Sequence, residues 1–254
     1  MYKLIKSTYN LIIPRSIHYK IESPLRFLLY ILFYQGNQHH CQICSANLKK
    51  FVKIDFLNGA DNLCPKCGSL SRTRTLYNYI NNEINFKKKE ILDFSPHRSI
   101  YNIMSKNEKK YIANDFDNQF FANTNYDITK LPFKKEKFDL IICFHVLEHI
   151  PNDNKAIQNL NKVLKNNGDL LIQVPLKKGN TDEDLSIIDP EQREKRFGQK
   201  DHVRVYGKRD LKIKLETYGF KTTVVDYSKE FSSKELKYYG IKKGELIFHC
   251  KKTA

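Results

Sequence analysis

Residues 137–151 read KFDLIICFHVLEHIP, and the fold turns on how this stretch is read. Its first half, 137–144, is a nearly unbroken apolar run bounded by charge, the pattern of a buried strand. Its second half contains His145-Val146-Leu147-Glu148-His149, an H-x-x-E-H string. On a helix that string presents two imidazoles and a carboxylate on one face and makes a zinc peptidase site. Two features oppose a helix here. The strand runs directly into His145, and Pro151, two residues after His149, disfavours helical backbone before it. The histidines are therefore expected on a strand-end turn and a single helical turn, and the sequence shows no third ligand.

Outward from this stretch, short apolar runs alternate with helical patterns. EILDFS (90–95), KYIANDF (110–116) and GDLLIQVPL (168–176) read as strands, as do KTTVVDY (221–227) and GELIFHCKK (244–252). YDITKLPF (126–133) reads as a short strand and a turn. Helices are expected at 98–109, 152–168 and 208–220. In the second, Ala156, Ile157, Leu160, Val163 and Leu164 share a face, Asn152 or Asp153 caps the start, and Gly168 ends it. This alternation specifies an α/β, doubly wound, mostly parallel sheet. Ligands of such sheets bind beyond the carboxyl ends of the strands. The positions to inspect are therefore Asp93-Phe94-Ser95, Asp115, Asp127, Phe144-His145 and Pro175-Leu176. The polar segment 177–207 leaves from a strand's carboxyl end on that side, and a connection so long is expected to serve substrate.

Four of the six cysteines form CQIC and CPKC: Cys41, Cys44, Cys64 and Cys67. Two such knuckles close a tetrahedral zinc site of four thiolates. Four thiolates fill the coordination sphere, so the zinc is expected to be structural. The intervening 51–62 suits a hairpin turning at Asn58-Gly59. Cys143 and Cys250 sit in apolar strands and read as core thiols.

The 254 residues carry a net charge of +16. Residues 1–90 hold 14 Lys/Arg against 5 Asp/Glu, so the basic excess is densest there. That favours an anionic partner or, more simply, a lysine-rich surface. PLRFLLYILFY (24–34) is too short to span a bilayer, which needs about 20 apolar residues. It reads as a helix that packs on the protein or lies flat on a membrane. The expected organisation is a basic arm over 1–38, a zinc-ribbon-like module over 39–72 and an α/β domain over 73–254. Cytoplasmic location is the expectation, and the apolar segment 24–34 leaves peripheral membrane contact open.

ILDFSP, YIANDF, DITKLPF, FDLIICFHVLEHI and LNKVLKNNGDLLIQVP together resemble the class I S-adenosylmethionine-dependent methyltransferases over roughly residues 88–250. The later FGQKDHVRVYG and the cysteine pairs resemble a zinc-ribbon-bearing branch associated with glycan or cell-surface biosynthesis. The resemblance implies a Rossmann-like sheet of seven strands and S-adenosylmethionine as cofactor. It implies Asp115 on the ribose, Asp127 and the Ile128 backbone on the adenine, and the Asp93-Phe94-Ser95 loop on the methionine end. Phe144 and His145 would border the methyl-transfer site. His145 is then the first candidate for base or acceptor contact, with His202, Arg204 and Tyr206 next and Glu148 and His149 as supports. The family's first-strand loop is usually Gly-rich, whereas LDFSPHRSI has no Gly, and Ser95 is expected to replace one by being small. The acceptor is expected to be a small molecule, a sugar or a lipid-linked group, methylated on oxygen. RNA methylation and a non-catalytic binding protein are the alternatives.

Overall fold

The computed structural model describes residues 15–56, 59–117 and 120–253. Residues 1–14 of the N-terminal arm and Asn58 of the expected turn lie outside them. Helix α1 (Arg15–Leu29) continues into a π-helical turn, Tyr30–Tyr34. Strands β1 (Gln35–Cys41) and β2 (Ala46–Leu48) pair antiparallel, as do β3 (Val52–Phe56) and β4 (Gly59–Leu63). The second pair is the hairpin expected between the cysteine knuckles. Tyr30, Leu48 and Phe51 pack with Cys41 and Cys64 into a small core. Ile21, Phe27, Leu28, Ile31, Leu32 and Phe33 of the preceding helical segment are exposed.

Helix α2 (Ser71–Tyr79) leads to β5 (Ile91–Phe94), α3 (Arg98–Met104), β6 (Tyr111–Asn114), β7 (Phe138–Phe144), α4 (Asp153–Val163) and β8 (Leu164–Gln173). The short strands β9 (Leu176–Lys177) and β10 (Asp182–Glu183), α5 (Pro190–Phe197) and β11 (Arg204–Gly207) follow. Then come α6 (Lys208–Thr217), β12 (Phe220–Asp226), α7 (Ser233–Tyr239) and β13 (Leu246–Lys252). The main sheet has the order β12-β13-β8-β7-β5-β6. Its strands β6, β5, β7 and β8 run parallel, and β13 is antiparallel to both of its neighbours. Leu92, Ile141, Ile157, Leu160, Leu170 and Phe248 are fully buried in its core. Each such side chain contributes about 1.5–3 kcal/mol.

Three sequence expectations change. The sheet has six strands among the described residues, not seven. Residues 126–133 form instead a 3-10 turn, Ile128–Lys130, because Asp127 caps it by accepting from the Thr129 backbone N and Oγ1, both at 2.8 Å. Helix α4 is capped by Asn152, whose Oδ1 accepts from Lys155 N at 3.0 Å. It ends at Val163 rather than at Gly168, because Leu164 already pairs with Phe138. Segment 177–207 is not featureless: it builds α5 and a three-stranded sheet, β10-β11-β9.

The chain divides into two units, Met1–Asn78 with Ser228–Glu245, and Tyr79–Tyr227 with Leu246–Ala254. Among the described residues no helix is long and apolar enough to cross a membrane.

Candidate functional site

At the carboxyl end of β5, Asp93 is buried and accepts from the Tyr111 hydroxyl at 2.9 Å. Burial pushes its carboxyl up to about 7, against the opposing hydrogen bond from Tyr111. Phe94 lies in the core. Ser95 has φ +48°, the left-handed region that glycine adopts without cost. The Gly-free loop thus makes its tight turn with a small residue, as expected. The Ser95 hydroxyl donates to Asp115 Oδ1 at 2.8 Å, tying the ends of β5 and β6 together. Asp115 is buried, and its Oδ2 accepts from Phe120 N at 2.8 Å. Asp127 is the cap described above, and Ile128 is buried beneath it.

At the end of β7, Phe144 is half-buried and His145 turns the chain with φ +56°. Its backbone N donates to Gln173 O on β8 at 2.8 Å. Residues Leu147–His149 form only a single 3-10 turn, as Pro151 and the preceding strand imply. His145 Nδ1 pairs with Glu148 Oε1 at 3.2 Å, and its side chain remains 30% exposed. Glu148 is fully buried. Burial pushes its carboxyl up, but the hydrogen bond and charge of His145 outweigh this and hold it below the usual carboxylate range. Its Oε2 and the buried His145 Nε2 have no partner.

Segment 201–206 closes over this turn. Val203 N donates to Glu148 O at 3.0 Å. Arg204 is fully buried and donates to the carbonyls of Leu147 (2.9 Å), Ile150 and Pro151 (2.9 Å), and to Glu183 Oε2 (2.6 Å). Its guanidinium is therefore spent on the protein, so the structure places it under the turn rather than at an open surface. Tyr206 is likewise buried, donating to Asp153 Oδ2 at 2.6 Å. His202 is 2% exposed; its Nδ1 lies 3.2 Å from Phe197 O, and its Nε2 has no partner. Burial lowers its pKa. His149 pairs with Asp201 at 3.1 Å and meets His202 edge to face. The structure thus gathers His145, Glu148, His149 and His202. The first three are neighbours in sequence, and only the docking of a distant loop adds the fourth.

In the smaller unit Cys41, Cys44, Cys64 and Cys67 form no disulfide, and their sulfurs all lie within 4.8 Å of one another. The Cys41–Cys67 and Cys44–Cys64 sulfurs are each 3.7 Å apart. A tetrahedron with Zn–S of about 2.3 Å has edges of about 3.8 Å. Arg74, fully buried, donates to Ser69 O (2.6 Å), Asn62 O (2.8 Å), Tyr239 O (2.9 Å) and Gly240 O (2.7 Å), and lies over the Phe51 ring. It locks the second knuckle to β4 and to the segment after α7. Nothing in the sequence marked it.

A parallel sheet closed by the antiparallel pair β13–β12, with acids at the ends of β5 and β6, defines a class I S-adenosylmethionine-dependent methyltransferase. The family described as Methyltransferase domain matches residues 54–225, and the chain belongs to it. It is 46% identical over 48 residues to protein MJ0638 of Methanocaldococcus jannaschii, which is 19% of this chain and 21% of that protein. It is 51% identical over 37 residues to the ubiquinone biosynthesis O-methyltransferase of Glaesserella parasuis, which is 15% of this chain and 16% of that enzyme. Both matches thus span a minor part of those relatives. The fold is shared, at 9% identity and TM-score 0.50, with a chain of the complex between the Haloferax volcanii Trm112 methyltransferase activator and a methyltransferase, over 72% of this chain and 90% of that one.

Proposed function

We propose that the enzyme methylates a hydroxyl oxygen of a small-molecule, sugar or lipid-linked acceptor, with His145 as general base. The carrying observation is the His145–Glu148 pair: a buried carboxylate orients Nδ1, and Nε2 is left without a partner. A hydroxyl acceptor needs such a base, whereas an amine or thiol acceptor needs it less. The O-methyltransferase among the curated relatives agrees with an oxygen acceptor.

S-adenosylmethionine, when bound, supplies an electrophilic methyl on a sulfonium sulfur. The residues fit it: the Ser95–Asp115 bond brings the first loop beside the carboxylate at the end of β6. That suits a ligand whose ribose and methionine tail span the two strand ends. Asp115 would take the ribose hydroxyls in a charge-assisted pair. Asp127 and the Ile128 backbone would take the adenine, and the Asp93 to Ser95 turn would pass the methionine end. Phe144 would border the methyl. His145 would align the acceptor and take its proton, with His202 and segment 177–207 on the acceptor side and Arg204 acting through the turn it supports. Alignment and water exclusion are most of what the protein adds, since the cofactor is already reactive. The four cysteines would hold a structural zinc, leaving no open position for chemistry.

Titration calorimetry with S-adenosylmethionine tests the site. The native protein should bind and Asp115→Ala should bind at least tenfold more weakly. Equal binding by both, or by neither, refutes the assignment.

A further inference from the structure

The geometry points to a second metal site, for a divalent cation, formed by Glu148, His149 and His202 beside His145. Their ligand atoms all lie within 4.8 Å of one another. Ligands about 2.0–2.2 Å from one cation are at most about 4.4 Å apart, so closing on an ion asks only small side-chain movement. This set differs from the peptidase pattern, which would pair His145 with His149 on a long helix.

Two further observations separate the cluster from an ordinary polar contact. First, Glu148 Oε2 and His202 Nε2 are buried atoms without a hydrogen-bond partner. Leaving such atoms unpaired is costly, more so for a charge, and a cation would satisfy both. Second, each histidine is held through Nδ1: His202 by the Phe197 carbonyl and His149 by Asp201. A carbonyl or carboxylate on Nδ1 fixes the tautomer that offers the Nε2 lone pair, the usual outer support of a metal-bound imidazole. Two imidazoles and one carboxylate suit zinc, manganese, iron or cobalt in the divalent state. Three protein ligands leave coordination positions open. The side chains of His149 and His145 are 28% and 30% exposed, which gives those positions access. An acceptor oxygen would occupy one. That role rests on the acceptor side proposed above; the binding of the ion does not.

The test uses the full chain carrying one zinc per molecule on its cysteines. Mn2+ is titrated by electron paramagnetic resonance and Co2+ by visible absorption. The native protein should take one further ion, and its Co2+ spectrum should lack thiolate charge-transfer bands. Glu148→Gln and His202→Ala should abolish that binding. His149→Ala, on the exposed rim, should keep its melting temperature and also lose the ion. Asp201→Asn should weaken binding by about 10–100-fold, the loss expected for an outer partner. No uptake by the native protein at millimolar Mn2+ or Co2+ would overturn the site, and so would unchanged binding by folded His149→Ala. S-adenosylmethionine titrated into the same samples keeps the outcomes apart: ion uptake without cofactor binding would refute the proposed function alone.

Discussion

His149 and His202 meet edge to face with ring centroids 4.6 Å apart and planes at 84°. One follows β7; the other precedes β11. Arg204 holds the two stretches together by filling the space under the 147–151 turn with donors to its carbonyls.

Replacing Arg204 by Met should therefore destabilise the protein by about 3–5 kcal/mol, as removal of one partner of a buried charged network does. Denaturant melts measure this. A change under about 1 kcal/mol would mean that the turn holds its shape without the guanidinium.

His145→Asn keeps a residue that tolerates φ +56° and removes the imidazole. Turnover should fall about 10²–10⁴-fold, with a much smaller change in cofactor affinity. A fall in turnover of less than about tenfold would remove His145 from proton transfer.

Asp93 makes the folded state take up a proton. Its folded pKa, about 7, lies above the ordinary value of 3.8. Below about pH 4 the group is protonated in both states and its contribution is fully present. Between about pH 4 and 7 the folded state binds more protons than the unfolded, so stability falls as pH rises. Asp93→Asn should flatten that fall while keeping an acceptor for the Tyr111 hydroxyl. Parallel stability–pH curves for the two proteins would show that Asp93 is ionised in the fold.

The structural zinc proposed for the four cysteines should leave as one ion per chain on chelation or in Cys64→Ser, with a lower melting temperature. The binding energy of a structural zinc is folding energy. Colorimetric zinc assay with calorimetry checks both. Native protein free of zinc yet equally stable would show that the thiol cluster stands alone.

Much of this was legible from pattern. The knuckle spacing announced the cysteine cluster, and the run into His145 announced a strand end, because both depend on neighbours in sequence. The small size of Ser95 suits it to stand in for a glycine, and its left-handed backbone gives that a conformational basis. What escaped depended on distant partners. The capping habit of Asp127 removed a strand that the apolar pattern of 126–133 suggested. The third member of the Glu148–His149 cluster arrives on a loop whose own periodicity is weak. Arg74 and Arg204, charged residues ordinarily left in water, are instead the central braces of their surroundings, and nothing local distinguishes them from surface arginines.

The connection between β12 and β13 runs through Ser228–Glu245, which belongs to the cysteine-bearing unit. Within that unit α7 begins in a reciprocal Ser232–Glu235 cap and is followed by the carbonyls that Arg74 grips. The unit therefore cannot be cut out as one continuous piece of chain. If it unfolds, the staple joining the last two strands becomes an open loop, whose closure entropy the β12–β13 pairing must then bear alone. Loop length enters that cost only logarithmically, about 0.6 kcal/mol per doubling. Loss of order around the cysteines should thus be felt at the sheet's antiparallel edge as faster amide exchange rather than as collapse.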